Sequence, residues 1–239
     1  MIKRALIGGL AALSVLAAHA EGNDIAEVTK AIEAALGAGA KPDSVRDAGF
    51  LGLYEIQVGG DLLYTDRKAK YLVIGDVVDT KTRQNLTQER KNKLAQIKFS
   101  DLPLDMAVKQ VRGSGRRVFA TFEDPNCGYC KKLAKELQAM TDVTIYTFVY
   151  PILSPDSTDK SRAIWCAPDK AKAWNDWMIN GIKPAPGKCD APIDKVVALG
   201  RKLSIHGTPT IFFTDGSRIP GYVPVAQIEQ TIGKIGNGG

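Results

Sequence analysis

Hydrophobic and polar positions along the chain fall into two blocks with different periods. In the first, Ile25, Val28, Ile32, Ala35 and Leu36 recur at spacings of three and four. That period predicts one short amphipathic helix, capped by Asn23 or Asp24 and ended by Gly37, Gly39 and Pro42. Phe50–Val58 then alternates in part, Gly59-Gly60-Asp61 is a turn sequence, Leu62–Thr65 is short, and Tyr71–Val78 is rich in β-branched residues. Residues 21–79 are therefore expected to form a small α+β domain. A sheet of three or four strands with one helix lies near the lower size limit for independent stability, and its edge strands leave backbone groups unpaired. Pairing with a second copy meets both needs, so dimerisation is expected here. Residues 80–101 are polar, with Leu86, Leu94 and Ile97 interspersed, the pattern of a partly exposed helical linker.

The second block, 102–239, reads as a larger α/β domain. Arg117–Phe122 is a β-rich run, and the helix after it places Leu133, Ala134, Leu137 and Met140 on one face. Val143–Val149 is the next strand. A helical insert over about 154–203 carries Trp165, Trp174 and Trp177, read as core, and ends with a helix over Ile193–Leu203. Thr210–Phe213 and Arg218–Tyr222 form a hairpin around Asp215-Gly216, and Val225–Ile235 closes the chain as a helix. The fold class is thus α+β overall.

Composition removes whole classes of function. With 44% hydrophobic and 24% charged residues among 239, the chain is neither disordered nor low-complexity. No run of 18 residues is continuously apolar, which excludes a polytopic membrane protein. Lys3 and Arg4, the apolar run Ala5–Ala18 and the small-x-small sequence Ala18-His19-Ala20 predict a signal peptide over 1–20, and hence export to a compartment where disulfides persist. Cleavage after Ala20 would leave 30 basic and 26 acidic side chains, a formal charge of +4 instead of +6. The densest basic stretch, Lys81–Lys93, has no interleaved aromatics and reads as a solvated face, which argues against nucleic acid as a partner.

The chemistry is carried by Cys127-Gly128-Tyr129-Cys130, set between a strand and a helix. A cysteine at a helix start faces unpaired backbone N–H groups and the positive end of the dipole, which favours the thiolate, the species that attacks disulfides. Cys127 is expected to be the exposed nucleophile of low pKa, and Cys130, one turn on, the resolving thiol. Zinc sites share this spacing, but they need a second close pair of ligands. Cys166 and Cys189 lie 23 residues apart, and His206 is the sole histidine of the processed chain, so redox chemistry is favoured. No metal or cofactor is expected.

The motif resembles the thioredoxin family, and His206-Gly207-Thr208-Pro209-Thr210 before a strand is similar to that family's cis-proline loop. The resemblance implies that Pro209 is cis and packs on the cysteine pair, and that the Thr208 backbone pairs with an extended substrate. Taken without the family, Thr-Pro-Thr is equally an ordinary strand entry. More closely, the whole processed chain resembles the periplasmic disulfide isomerases, DsbC and its relative DsbG. That likeness implies a homodimer joined through the N-terminal domains, a thioredoxin-like catalytic domain, and a structural disulfide between Cys166 and Cys189. It also implies misfolded disulfide-containing exported proteins as substrates, and a membrane-embedded thiol reductase, DsbD-like, as electron donor. One departure stands out. Thioredoxins carry a buried acid six residues before the first cysteine, where this chain has Thr121; Glu123 and Asp124 are expected on the loop, solvated. His206 is open between a neighbour of Cys127 and a surface residue. Gly128 and Tyr129 are candidate substrate contacts, Tyr129 alternatively packing on the domain surface. An isomerase is the leading expectation. A reductase for single cysteines and a non-catalytic chaperone are the alternatives, and Gly128, where DsbG-like chains have proline, leans toward the isomerase.

Overall fold

The computed structural model describes residues 11–37 and 41–236, with side chains described from Asp24 onward. The predicted start of a signal peptide and the last three residues lie outside the described residues. The chain splits into two compact units, divided between Lys91 and Asn92.

In the first unit, helix α1 spans Ala11–Leu36. Asn23 and Asp24 therefore do not start it. The alanine-rich run before them is itself a good helix former, and nothing there breaks the ladder strongly enough to stop it. Gly37, at φ +91°, ends the helix as expected. Val28 and Ile32 bury against Tyr54 and Ile56 of an antiparallel sheet ordered β1 (Ser44–Asp47), β2 (Tyr54–Val58), β3 (Asp61–Thr65), β4 (Leu72–Val73). Strand β1 was not expected, and β2 begins four residues later than predicted, because Gly49, Leu51 and Gly52 all take positive φ in a turn. Gly59 and Gly60, both at positive φ, join β2 to β3 as the two-residue hairpin turn with Val58 opposite Asp61. The expected strand over 71–78 shrinks to Leu72–Val73. Helix α2 covers only Leu86–Leu94, much less than the linker helix expected over 80–101. Its first turns are docked on the first unit: the Thr87 hydroxyl lies 2.7 Å from that of Tyr64 and accepts the Val77 N–H, and Arg90 donates to buried Glu55, which also holds Arg46.

The second unit is built on a five-stranded sheet, β5 (Val108–Arg112), β6 (Arg117–Glu123), β7 (Val143–Val149), β8 (Thr210–Phe213) and β9 (Arg218–Pro220), ordered β5-β7-β6-β8-β9. Only β6 and β7 run parallel. Both faces are covered, which is why the central strands read as nearly unbroken apolar runs. Phe122, Phe148, Tyr150 and Phe212 pack with Val196 of α6 (Ile193–Lys202) on one face; Phe119, Ile145, Ile211 and Phe213 pack with Leu133 of α3 (Gly128–Glu136) and Ile228 of α7 (Val225–Gly236) on the other. Helices α4 (Pro155–Trp165) and α5 (Lys170–Asn180) follow β7. Ser154 caps α4 by accepting the Ser157 N–H, with Pro155 at the first helical position, and Asp169 caps α5. Among the described residues no helix is long and apolar enough to cross a membrane.

Candidate active site

Strand β6 delivers the chain to the site. Its last residues lead into a tight turn in which the Asp124 carboxylate accepts the Asn126 N–H at 2.7 Å, and the Cys127 N–H donates to the Asp124 carbonyl at 3.0 Å. Asp124 is fully buried and also accepts the backbone N–H groups of Ile152 and Leu153 and the Ser157 hydroxyl. It thus staples the turn to the segment entering α4. Cys127 occupies the cap position of α3, with extended backbone (φ −72°, ψ 121°). Its Sγ lies 3.3 Å from the carbonyl oxygen of Thr208. The loop preceding β8, whose Thr208–Pro209 bond is cis, and the start of α3 thus converge on one sulfur.

Cys127 and Cys130 are free thiols. The Cys127 pKa is pulled down to about 5, chiefly by the Cys130 thiol donating to it, then by Thr208 and by the backbone N–H groups of Cys130 and Tyr129 at the open helix end. Burial opposes the shift and is outweighed. Cys130 is completely buried, and burial pushes its thiol far up, with Cys127 and Glu123 pushing the same way. The pair therefore differs in acidity in the sense expected of an attacking and a resolving thiol. The expected openness of Cys127 needs correcting, however. Only 7% of it is accessible, because the Thr208–Pro209 loop lies against its sulfur. Gly128 and Tyr129, the two residues that follow it, are both exposed.

A second correction concerns the acids. Glu123 is not solvated: it ends β6 with 1% exposure, and burial raises its carboxyl to about 8 despite a hydrogen bond from Thr121 at 2.7 Å. Its other oxygen, Oε2, has no partner among the protein groups. Thr121, at the position where thioredoxins carry their acid, thus holds an acid from two residues along. Burial of both Glu123 and Asp124 escaped the sequence reading because carboxylates rarely lie inside unless paired. The Asp-Pro-Asn sequence did carry a signal for Asp124, since Asp commonly accepts the N–H two residues on in such turns.

Tyr129 is 65% exposed, its ring stacked on Tyr222 at 5.9 Å. A Cβ on Gly128 would meet nothing within 4 Å, so glycine is not demanded there by space. His206 is exposed, Thr208 half-buried and Pro209 buried. Of the tryptophans, Trp174 is core, packed with Cys130 and Ala134, while Trp177 is only partly buried and donates its indole N–H to the Pro125 carbonyl at 2.6 Å. Cys166 and Cys189 are bonded, with Cα atoms 5.6 Å apart, and Gly187 lies so close that a Cβ there would stand 2.6 Å from that of Cys166. Among the described residues, no three His, Cys, Asp or Glu side chains are grouped to hold a metal ion.

Comparison with known proteins places this geometry. A thioredoxin-like domain family matches residues 104–236, and the N-terminal domain family of disulfide bond isomerase proteins matches residues 17–88. The probable thiol:disulfide interchange protein DsbC of Bordetella pertussis is 55% identical over 178 residues, 74% of this chain and 64% of the relative. The chain thus matches just under two thirds of that relative's length. DsbC of Salmonella typhimurium is 30% identical over 77% of this chain and 78% of its own length. Among solved structures, a disulfide interchange protein from Neisseria gonorrhoeae superposes with a TM-score of 0.54 at 46% identity, over 56% of this chain and 97% of that one.

Proposed function

This chain belongs to the DsbC family of thiol:disulfide interchange proteins, and from that membership we propose that it is an exported thiol-disulfide isomerase that rearranges wrong disulfides in other proteins. The observation that carries the reading is the Cys127 sulfur at the open end of α3, 3.3 Å from the Thr208 carbonyl of the cis-proline loop, with its pKa pulled down to about 5. Cys127 thiolate attacks one sulfur of a substrate disulfide. The Cys127–S–S–substrate bond forms, the substrate disulfide breaks, and the departing substrate sulfur leaves as a thiolate that takes a proton from solvent. A second substrate thiolate then attacks the substrate sulfur of the mixed disulfide and regenerates Cys127, so no net oxidation occurs. Alternatively Cys130, deprotonated, attacks Cys127 and releases reduced substrate, leaving a Cys127–Cys130 disulfide; two electrons must then come from a thiol donor, for which a membrane-embedded DsbD-like reductase is the candidate. Glu123 is the candidate acceptor for the Cys130 proton, being buried, electrostatically coupled to both sulfurs and carrying a free oxygen. The Thr208 backbone at the cis-proline loop, with Gly128 and Tyr129, offers the docking edge for an extended substrate.

The first unit is assigned to dimerisation. Its edge strand β4 pairs with β3 over just two residues, and Tyr71, Leu72, Val73, Ile74 and Val78 around it are exposed, Ile74 by 79%. An apolar, half-used sheet edge favours a second copy of the same strand. Periplasmic localisation is favoured by the leader-like sequence of residues 1–20 and by the Cys166–Cys189 bridge, which suits an oxidising compartment. Refolding of a scrambled multi-disulfide protein tests the assignment: catalysis should require Cys127, and a Cys127→Ala variant that still unscrambles the substrate would overturn it.

A further inference from the structure

Helix α4 grips the turn that delivers Cys127, and the grip converges on one lysine. Lys160 is an unusual residue for its place: only 9% of it is exposed, although it is charged. Two arms run from it. Along the first, its ammonium pairs with Asp156, whose carboxylate accepts the Asn126 side-chain N–H at 2.8 Å. Along the second, the same ammonium lies 4.6 Å from the centre of the Trp177 ring, whose indole N–H holds the Pro125 carbonyl at 2.6 Å. The two residues immediately before Cys127 are thus both reached from one buried cation, one through a carboxylate and one through an aromatic ring, while the Asn126 side chain also donates to the hydroxyls of Ser154 at 3.2 Å and Ser157 at 3.1 Å. Lys131, on α3 one turn beyond Cys127, lies 4.2 Å from the centre of that ring. The indole therefore serves cations from α3 and α4 while it anchors the turn.

Resting on the isomerase reading above, we infer that Lys160 is a positioning residue for the reaction: through Asp156 and Trp177 it fixes the Pro125–Asn126 turn and so holds the Cys127 sulfur against the first amides of α3. The physical reason is that the amides at a helix start stabilise a cap sulfur more the nearer they lie, and the turn that delivers Cys127 is one of the elements that set that distance. The ammonium itself is sheltered and lies over the Trp177 ring, whereas Asp156 keeps more than half of its side chain in water, so the ring contact is the better shielded of the two arms. The remaining charged groups around it are Asp159 and Arg162 on its own helix and Lys183 on the loop that follows α5.

The test is the pH profile of Cys127 alkylation by iodoacetamide in the reduced full-length protein, which needs no substrate. Lys160→Met keeps the apolar stem and removes the charge; its alkylation midpoint should move up by about one pH unit, so that reactivity near pH 5 falls about fivefold. Lys160→Arg, which keeps both the ion pair and the ring contact, should restore the profile. Trp177→Phe keeps a ring but has no N–H to offer Pro125, and should move the midpoint in the same direction by less. A Lys160→Met protein with lowered thermal stability and an unmoved midpoint would overturn the inference. If that variant does not fold, an unmoved midpoint in Trp177→Phe would do so instead. Failure of the isomerase reading registers elsewhere, in substrate unscrambling, and leaves these midpoints untouched.

Discussion

Cys127 caps the N-terminal end of α3, whereas Cys166 caps the C-terminal end of α4, and the two cysteine pairs differ accordingly. At the first position backbone N–H groups point at the sulfur; at the second the helix presents its carbonyls and the negative end of its dipole. A thiolate is stabilised in one place and repelled in the other. Cys127 and Cys130 remain thiols with widely separated acidities, while Cys166 and Cys189 are joined across a 23-residue separation. The spacing contributes as well. A partner three residues along the same helix can donate its S–H to the first sulfur, whereas a distant partner contributes loop closure. What distinguishes the dithiol from the bridge here is the helix end that Cys127 and Cys166 each occupy and the length of chain between partners.

Substitutions that erase one side of this contrast should leave the other intact. The largest effect is expected from Cys127→Ala, which should lower disulfide exchange by at least about a thousandfold, read as turnover of a small disulfide, because no other thiolate is available near neutral pH. Replacing Cys166 and Cys189 together by Ser should cost about 3 kcal/mol of folding stability, a factor of roughly 150, read by urea unfolding, while the Cys127 alkylation midpoint stays near pH 5. Glu123→Gln should slow the release of a trapped mixed disulfide by Cys130 by roughly a hundredfold near pH 7, measured by quenched-flow alkylation, with the attack by Cys127 little changed.

The smallest effect in the wild type is that of pH on stability, because two opposed shifts offset each other. In reduced protein the Cys127 pKa lies below its unfolded value of 9.0, so its contribution is complete above pH 9 and is lost as pH falls through about 5. Glu123 works the other way. Its folded value of about 8 lies above 4.5, so its contribution is complete below pH 4.5 and is lost as pH rises through about 8. The two nearly cancel in the wild type. In Cys127→Ala only Glu123 remains, and the urea midpoint should be lower at pH 8 than at pH 5; an equal or higher midpoint would place Glu123 in water after all.

Much of the second unit could be read from sequence because its elements are buried on both sides. Val143–Val149 is uniformly apolar or β-branched, Asp215-Gly216 marks its hairpin, and the face of α3 is periodic. Strand β5 escaped because Gln110 is buried and Val111 exposed, so its alternation runs against the apolar pattern; Gln110 is satisfied by the Asn175 side chain, a partner 65 residues away. Strand β1, Ser-Val-Arg-Asp, has no apolar face to declare it and is held by backbone pairing and by Arg46 reaching Glu55 across the ladder. In the site, the cysteine motif and the cis-proline loop were legible as motifs. The surroundings of Cys127 were not, since Glu123, Lys160 and Trp177 acquire their roles from neighbours on other elements that no local pattern names.

The permanent bridge carries an obligation for every newly made copy. Cys127 and Cys130 leave the ribosome before either Cys166 or Cys189, so the most reactive sulfur in the chain is already present when its two vulnerable siblings arrive. A premature bond from Cys127 to either one would silence the molecule at birth. Under the proposed exchange reaction, such a bond is of the kind that the Cys127 thiolate of a mature copy would attack, which would make stillborn siblings clients of the same chemistry.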